Sequence, residues 1–410
     1  MQIVSIGTPP QQTYVEIDTG SSELWVNPNC SSVPADLGQQ ALCEQVPIVN
    51  LNKSSTAKGP SGNTTIVYGS SGAQLTGVRL DYFTDKVTIG DITIDQQLGI
   101  ASDSLGLPVG VMGLAPDLYQ GFSADKPYSL VLDSLVAQGA IASRAYSLAL
   151  GSSDAAEGSL IFGGVDTGKF SGPLVKTPIV PALDNVTRLT IEYSSLSVQT
   201  TNSTKSYTAG PGENNTNVQI DSGNTFSYFN ADLVNQVVAD LGANFSADLG
   251  YYLVDCAARN QSGGIVFGFN NDAIYITVPF SDFIFTAEGL CAVGIAPVQP
   301  GGQEVLGLSF IRAAYLVFDW DNQAVHLAQA ANCTSAVVPI GTGPNAVPSV
   351  TSNCSGGANG TVSGNGTATT STGGSAPTGS GRVSASSASG GLSQLPWSLL
   401  FFSSLLFAFL

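Results

Sequence analysis

Residues 15–22 read VEIDTGSS, and residues 218–225 read VQIDSGNT. In both stretches an apolar strand-like run leads into an aspartate, which a small hydroxyl residue and a glycine follow. Each copy has a second counterpart further along its own half of the chain, at Val111–Gly113 and at Val305–Gly307. Two halves with the same order of motifs indicate a duplicated unit. They predict a mostly β protein in which equivalent loops meet across a pseudo-twofold axis.

A pair of aspartates at such an axis has a chemistry that a single aspartate lacks. Two adjacent carboxyls do not both ionise cheaply, so they share one proton and titrate at separate pH values. The ionised member can take a proton from a water molecule, while the protonated member polarises a carbonyl group. Either motif alone indicates no more than a turn. Two copies in matched contexts predict that Asp18 and Asp221 are catalytic.

The residues next to each aspartate are predicted to support the pair. Gly20 and Gly223 allow the backbone to turn tightly, so that amide groups approach the carboxylates. Thr19 and Ser222 can hydrogen-bond across the axis and hold the two loops in register.

Composition excludes several classes of function. Only 10% of the 410 residues are charged, 43% are hydrophobic and 47 are glycine, which favours a β-rich globular protein. The formal net charge of −17 argues against nucleic acid as a partner. His326 is the single histidine and no CxxC pair occurs, so we predict neither a metal site nor a cofactor. An acidic surface suits an acidic working environment, but a surface that is merely soluble would look the same.

Short apolar runs bounded by Gly, Pro and Asn predict strands through most of residues 1–333. One of the predicted strands is Val87–Ile94. Helical periodicity is sparse, and its best candidates are Tyr128–Gln138 and Ala231–Leu241.

Cysteines and sequons indicate passage through the secretory pathway. The six cysteines favour disulfides in an oxidising compartment, and many N-x-Ser/Thr patterns predict a glycoprotein. The asparagines of these patterns are Asn29, Asn52, Asn63, Asn185, Asn202, Asn214, Asn244, Asn260, Asn332, Asn353, Asn359 and Asn365.

The two ends have compositions of their own. Residues 334–394 are rich in Ser, Thr, Gly and Ala and predict a flexible stalk. Residues 395–410 form an apolar tail preceded by the small-residue run 384–391, a pattern typical of a glycosylphosphatidylinositol (GPI) attachment signal. A tail-anchored helix is the alternative. At the other end, Met1–Gly7 already reads as a strand, which predicts that the natural precursor begins upstream.

The motifs resemble those of the pepsin-like aspartic proteases. Residues 17–26, IDTGSSELWV, are similar to the N-lobe motif of that family, and residues 5–11, SIGTPPQ, to the strand and turn before it. Residues 67–70, VYGS, resemble the flap hairpin, and residues 305–312, VLGLSFIR, the end of the C-lobe. The resemblance extends over about residues 2–330.

The resemblance implies a bilobal fold, with two pseudo-twofold-related β lobes on either side of a cleft. The N-terminal lobe would comprise residues 1–175 and the C-terminal lobe residues 176–333. A polypeptide substrate would bind in extended form, with strand-like hydrogen bonds to the flap and cleft. Pepstatin-like inhibitors would bind the same cleft.

The resemblance also implies roles for individual residues of the flap and of the loop around the first catalytic aspartate. Tyr68, with Gly69 and Ser70, would close over the substrate, and the Tyr68 hydroxyl would hydrogen-bond the indole of Trp25. Ser21 would support the first carboxylate.

The chain departs from the family pattern at two places in the site. Asn224 stands where the family usually has Ser or Thr. Its amide can replace the hydroxyl as a donor to Asp221, so we expect an altered pKa and not inactivity. Val109-Gly110 replaces the usual Asp-Gly.

By the same resemblance, Cys30 pairs with Cys43 and Cys256 with Cys291, one disulfide in each lobe. Whether Cys333 and Cys354 pair stays open.

The stalk and the lipidation signal are similar to those of fungal surface proteases of the yapsin and candidapepsin type. They imply an extracellular acid endopeptidase on the plasma membrane or cell wall, and yapsins cleave next to Lys or Arg. Two alternatives remain: an inactive homologue that acts as a peptide-binding or inhibitor module, and a structural wall protein.

Overall fold

The computed structural model describes residues 1–33, 39–69, 76–118, 128–155, 157–207, 216–287, 289–354 and 384–387. The strands described are β1 Gln2–Ile6, β2 Gln11–Asp18, β3 Leu24–Val26, β4 Lys58–Tyr68, β5 Thr76–Ile89, β6 Ile92–Leu105, β7 Gly110–Gly113, β8 Ala145–Ala149, β9 Ser159–Phe162, β10 Gly164–Asp166, β11 Phe170–Pro178, β12 Thr190–Thr200, β13 Thr204–Tyr207, β14 Asn217–Ile220, β15 Ser227–Phe229, β16 Asn244–Ser246, β17 Tyr251–Leu253, β18 Gly263–Phe269, β19 Ile274–Pro279, β20 Ile284–Ala287, β21 Leu290–Val293, β22 Ile295–Pro297, β23 Glu304–Leu306, β24 Ala314–Asp319, β25 Ala324–Ala330, β26 Val337–Pro339 and β27 Ser384–Ser387. The α-helices described are α1 Gln39–Gln45, α2 Val131–Ala137, α3 Ala231–Asp240, α4 Phe280–Phe283 and α5 Leu308–Ile311.

Each half of the chain builds a large sheet of its own. The N-terminal sheet has the strand order β1-β2-β7-β3-β6-β5-β4, and the C-terminal sheet has the order β19-β18-β12-β14-β23-β15-β22, with β13 added on β12. A third sheet, β11-β25-β24-β8-β9-β27, takes strands from both halves. The mostly β prediction and the two-lobed arrangement are confirmed.

The two large sheets repeat one local topology around the aspartates. Strand β2, which ends at Asp18, pairs in parallel with β7. Strand β14, which ends just before Asp221, pairs in parallel with β23. The apolar-apolar-Gly segments found in the sequence are therefore the strands that lie alongside the aspartate strands. Gly113 is needed there because a Cβ atom would lie 2.5 Å from the backbone of Ser22 and Glu23.

Two local predictions need correction. Residues 87–94 do not form one strand, because β5 ends at Ile89, β6 begins at Ile92 and the two pair as a hairpin. Gly90 turns the chain with a φ of 61°. The sequence pattern does not mark this turn, because apolar residues alternate in the same way on both sides of it. The helix expected at Tyr128 begins only at Val131, because the preceding residue, Leu130, has extended backbone angles (φ −65°, ψ 163°).

The stalk does not begin at residue 334 as predicted. Strand β26 pairs with β10, and Ile340, Ala346 and Val347 are buried in a cluster beneath the shared sheet. The disulfide Cys333–Cys354 closes this segment. A few small apolar side chains and one cross-link therefore order a stretch whose composition predicted disorder. Strand β27, within the predicted stalk, pairs with β9.

The boundary predicted between residues 175 and 176 falls inside β11, a strand of the shared sheet. Across the ranges described above, no helix is both long and apolar enough to cross a bilayer. The predicted tail, residues 395–410, and residues 388–391 of the predicted attachment run lie outside the described residues.

Candidate active site

The loops that carry Asp18 and Asp221 meet where the lobes meet, and they are joined through the residue after each aspartate. Thr19 N–H donates to Ser222 Oγ at 3.1 Å, and Ser222 N–H donates to Thr19 Oγ1 at 2.9 Å. The two hydroxyls donate in turn to carbonyls of the opposite lobe, Thr19 to Ile220 and Ser222 to Ile17. All four bonds are buried, so the aspartates are held in a fixed relative position.

Each carboxylate accepts one backbone and one side-chain hydrogen bond within its own loop. Asp18 accepts from the Gly20 amide at 2.7 Å and from the Ser21 hydroxyl. Asp221 accepts from the Gly223 amide at 2.9 Å and from the Asn224 side-chain amide at 2.7 Å. The two half-sites thus have the same geometry, and they differ in one donor.

The glycine of each loop faces the carboxylate of the other loop. A Cβ atom on Gly20 would overlap the carboxylate of Asp221, and one on Gly223 would lie 2.7 Å from Asp18 Oδ1. Glycine is required by this close approach of two carboxylates and not only by a tight turn.

The closeness of the carboxylates separates their protonation. Burial and the neighbouring Asp18 charge raise the pKa of Asp221 well above its ordinary value, and a hydrogen bond with the Asp18 side chain acts in the same direction. The Gly223 amide and the Asn224 side chain partly oppose this rise, because they stabilise the ionised form. The raised pKa of Asp221 has the direction expected for the member of a carboxyl pair that keeps its proton.

The flap is the hairpin of β4 and β5, and its first strand ends at Tyr68. The Trp25 indole N–H donates to the Tyr68 hydroxyl at 2.7 Å, which is the hydrogen bond that the resemblance implies. Trp25 is fully buried, and Gly69 follows with a φ of 99°. Ser70, also assigned to the flap, lies outside the described residues.

The remaining predicted features have mixed outcomes. The disulfides Cys30–Cys43 and Cys256–Cys291 are formed. Val109 is buried against Leu42 and Val46. At this position an apolar packing contact therefore takes the place of the aspartate that the family usually has. In the part of the chain that the structure describes, no cluster of His, Cys, Asp or Glu could hold a metal ion.

One acidic residue of the site was not singled out from the sequence. Glu16 lies two positions before Asp18 on β2 and is half-buried. Burial and the charge of Asp18 raise its pKa to about 7, while the Met1 amine opposes the rise. The signal that could have found it is the two-residue period of the strand, which places positions 16 and 18 on the same face.

Comparison with known proteins agrees with this geometry. Residues 1–330 match the family described as "Eukaryotic aspartyl protease". The chain belongs to this family. Among curated relatives, "Probable aspartic-type endopeptidase OPSB" of Arthroderma benhamiae is 33% identical over 371 residues, which cover 85% of this chain and 72% of the relative. Candidapepsin-3 of Candida albicans is 30% identical over 344 residues, covering 81% and 80%.

A solved aspartyl protease structure shows the same fold. The aspartic proteinase from Irpex lacteus superposes with a TM-score of 0.62, covering 81% of this chain and 94% of that protein. At 21% identity the likeness concerns the fold, so the assignment to the aspartyl proteases depends on the family match and the curated relatives.

Proposed function

We propose that this chain is an active aspartic endopeptidase in which Asp18 and Asp221 jointly activate a water molecule. The observation that carries the proposal is the matching geometry of the two aspartate loops. Each carboxylate is held by its own loop, while the glycine of the opposite loop leaves room for it. Such an arrangement places both carboxyls against one small reacting group.

The mechanism follows from the unequal protonation of the pair. Asp18 is the ionised member and takes a proton from the water, whose oxygen bonds to the scissile carbonyl carbon. Asp221 gives its proton to the carbonyl oxygen. In the second step the C–N bond breaks, the proton held by Asp18 passes to the leaving nitrogen, and Asp221 regains its proton from the tetrahedral hydroxyl. No net proton is consumed by the pair.

An extended polypeptide is the substrate that suits this cleft. Strand β4 of the flap ends at Tyr68 beside the pair, and the Trp25 hydrogen bond fixes its side chain. An extended chain between flap and aspartates can pair with main-chain groups as an added strand. Pepstatin-like inhibitors would occupy the same place.

Acidic working conditions follow from the same pair. Activity needs one proton on the pair of catalytic carboxyls, and the raised pKa of Asp221 keeps that proton bound at a pH at which an ordinary aspartate has lost it. Activity therefore falls as the pH rises through this pKa.

We further propose that the enzyme works outside the cell as a GPI-anchored glycoprotein. Three disulfides and relatives called "Secreted aspartic protease 3" support secretion, and the terminal composition supports the lipid anchor. Release of cell-surface protein by phosphatidylinositol-specific phospholipase C would test the anchor; protein that stays on the membrane would contradict it.

The activity is tested with the full chain produced in a eukaryotic host. We expect cleavage of a quenched peptide library between pH 3 and 7, inhibited by pepstatin and lost in Asp18→Asn and in Asp221→Asn. Asp248→Asn, at an exposed position, is the matched control and should keep full activity. Cleavage that survives either dyad substitution would refute the mechanism. Pepstatin binding without cleavage at any pH would favour the inactive peptide-binding homologue.

A further inference from the structure

Glu23 is a buried carboxylate that the mechanism does not use. It directly precedes β3, in the loop that begins at Asp18, and is 4% exposed. Its backbone carbonyl accepts from the Gly113 N–H at 3.0 Å, and Gly113 pairs with Asp18 across β2 and β7. The backbone of Glu23 is therefore fixed to the strands that carry and flank the first catalytic aspartate.

The Glu23 side chain reaches the flap. The hydroxyl of Tyr82, on the second strand of the flap hairpin, donates to Glu23 Oε2. Tyr82 is fully buried, and the ring of Tyr128 packs against it edge-on, with 5.8 Å between the ring centroids. Tyr128 is held in turn by its hydroxyl, which donates to the Gln97 carbonyl at 2.9 Å. A hydrogen bond to a carboxylate is among the stronger ones in a protein, so it fixes β5 to the loop of the first aspartate.

This bond lies where the flap can bend. On β4 the residue opposite Tyr82 is Gly62, and the pairing of β4 with β5 shifts register just before Gly62. The pairing of β5 with β6 shifts register between Arg79 and Leu80. Strands bend at such irregularities. Beyond them β4 continues to Tyr68, about 20 Å from Gly62 at about 3.3 Å per residue, so a small rotation at Tyr82 moves Tyr68 by a larger distance.

Two attachments thus connect the flap to one short segment of the chain. Trp25 holds the far end of the flap through Tyr68, and Glu23, in the same segment, holds its base through Tyr82. Burial and the charge of Asp18 are the main causes that raise the pKa of Tyr68, and the charge of Glu23 adds to them. Tyr68 is half-buried, whereas Glu23 and Tyr82 are buried. The base attachment therefore does not depend on whether a substrate fills the cleft.

We propose that Glu23 is a positioning residue, which acts through Tyr82 to hold the base of the flap at a fixed height above the first catalytic aspartate. The inference rests on the proposed function and adds to it a group that controls how the flap closes over the substrate. Loss of the bond should raise KM and the Kd of pepstatin more than it lowers kcat, because the catalytic carboxyls themselves are unchanged.

The test compares Tyr82→Phe and Glu23→Leu, which remove the bond, with Glu23→Gln, which can still accept it. For the first two we expect KM and the Kd of pepstatin to rise by about tenfold, the factor for one hydrogen bond to a charged group, while kcat changes by less than about threefold. Hydrogen exchange of the backbone amides in residues 64–68 and 76–80 should become faster by a similar factor. Glu23→Gln should change KM, Kd and exchange by less.

Tyr207→Phe is the matched control. The Tyr207 hydroxyl also donates to a carboxylate, Asp240 Oδ2, at 2.7 Å, and Tyr207 is also buried, but it lies on β13 of the other lobe. This variant should have a lower thermal midpoint and keep the wild-type KM, pepstatin Kd and flap exchange.

Each outcome has a defined meaning. Wild-type KM and flap exchange in Tyr82→Phe, or equal effects in Tyr82→Phe and Tyr207→Phe, would overturn the inference while the proposed activity stands. Equal effects of Glu23→Gln and Glu23→Leu would also overturn it, because the hydrogen bond would not be the cause. If the two variants without the bond do not fold, Glu23→Asp, which keeps the charge but has a shorter reach, replaces them with the same expected changes. If the wild-type chain cleaves no peptide, the proposed function fails, and flap exchange alone decides whether Glu23 holds the flap.

Discussion

Thr19 and Ser222 bond to each other in both directions, and neither of these bonds involves a carboxylate. The Thr19 amide donates to the Ser222 hydroxyl, and the Ser222 amide donates to the Thr19 hydroxyl. Each hydroxyl donates onward to the carbonyl just before the aspartate of the other loop. The relative position of Asp18 and Asp221 is therefore set by groups that take no part in the chemistry.

Removal of these hydroxyls should weaken both the fold and the reaction. We expect Thr19→Val and Ser222→Ala each to lower the free energy of unfolding by about 1–3 kcal/mol, because each leaves buried backbone groups without a partner. The two effects should not add in the double variant, since the groups share bonds. Urea unfolding measures the loss of stability, and kcat measures the loss of activity. Thr88→Val, which removes an exposed hydroxyl bonded to the Thr93 hydroxyl, should change the stability by less than about 0.5 kcal/mol.

Asn224 should tune the upper pH limit of activity. Its amide stabilises ionised Asp221 at 2.7 Å, so Asn224→Ala should raise the pKa of Asp221 further and move the alkaline limb of kcat/KM upward by about one pH unit. Asn224→Ser, which restores a donor, should move it less. A limb that stays in place or moves down in Asn224→Ala would show that the amide does not act on this carboxylate.

Gly20 should be intolerant of a single added methyl group. Its Cβ would overlap the Asp221 carboxylate, so Gly20→Ala should push the pair apart and lower kcat/KM by about 100-fold or more, with weaker pepstatin binding. Gly341→Ala is the matched control, because the nearest atom to its Cβ is the Ala346 carbonyl oxygen at 3.9 Å. Equal activity in the two variants would contradict the close approach.

The sequence predicted the duplicated architecture and the loops around the aspartates because those features are local. An apolar strand that runs into Asp-Thr-Gly or Asp-Ser-Gly carries its own strand and turn signals. The role of glycine in the pair could not be predicted in the same way, because the atom that excludes a side chain at Gly20 belongs to Asp221, in the other half of the chain.

Two predictions from sequence patterns were wrong, one at the hairpin around Gly90 and one at the start of the stalk. The stretch around Gly90 alternates equally on both sides of its turn, so no change of pattern marks the hairpin. Residues 334–354 look like a stalk because their large apolar residues are few, yet Ile340 is 2% exposed. The packing surface that buries it is supplied by distant strands, which composition alone does not reveal.

The segment after residue 333 should contribute measurably to stability. A chain that ends after Asn332 loses the Cys333–Cys354 loop, worth about 3 kcal/mol by chain entropy for its separation of 21 residues, and the burial of Ile340 and Val347. We expect a lower thermal midpoint than in a chain that ends after Cys354, measured by circular dichroism. Equal midpoints would show that the segment is an appendage and not part of the folded unit.

His326 should limit stability in acid, where the enzyme is proposed to work. It lies on β25 between Val317 and Lys176, and its buried Nε2 has no hydrogen-bond partner among the described residues. Burial, followed by the charge of Lys176, lowers the pKa of His326 to about 4. Below pH 6.5 the unfolded chain binds a proton that the folded chain does not bind until about pH 4. Stability is therefore lost as the pH falls through this window, by up to about 3 kcal/mol.

His326→Leu removes the titrating group and should reduce this loss. Urea unfolding at pH 7, 5.5 and 4 gives the change in the free energy of unfolding for both proteins, and only the difference between pH values is compared, so that altered packing in the variant cancels. Lys176→Met should also reduce the loss, but by less, because the charge of Lys176 is the smaller of the two causes. A loss between pH 7 and 4 that is the same in wild type and in His326→Leu would show that other groups govern the acid sensitivity.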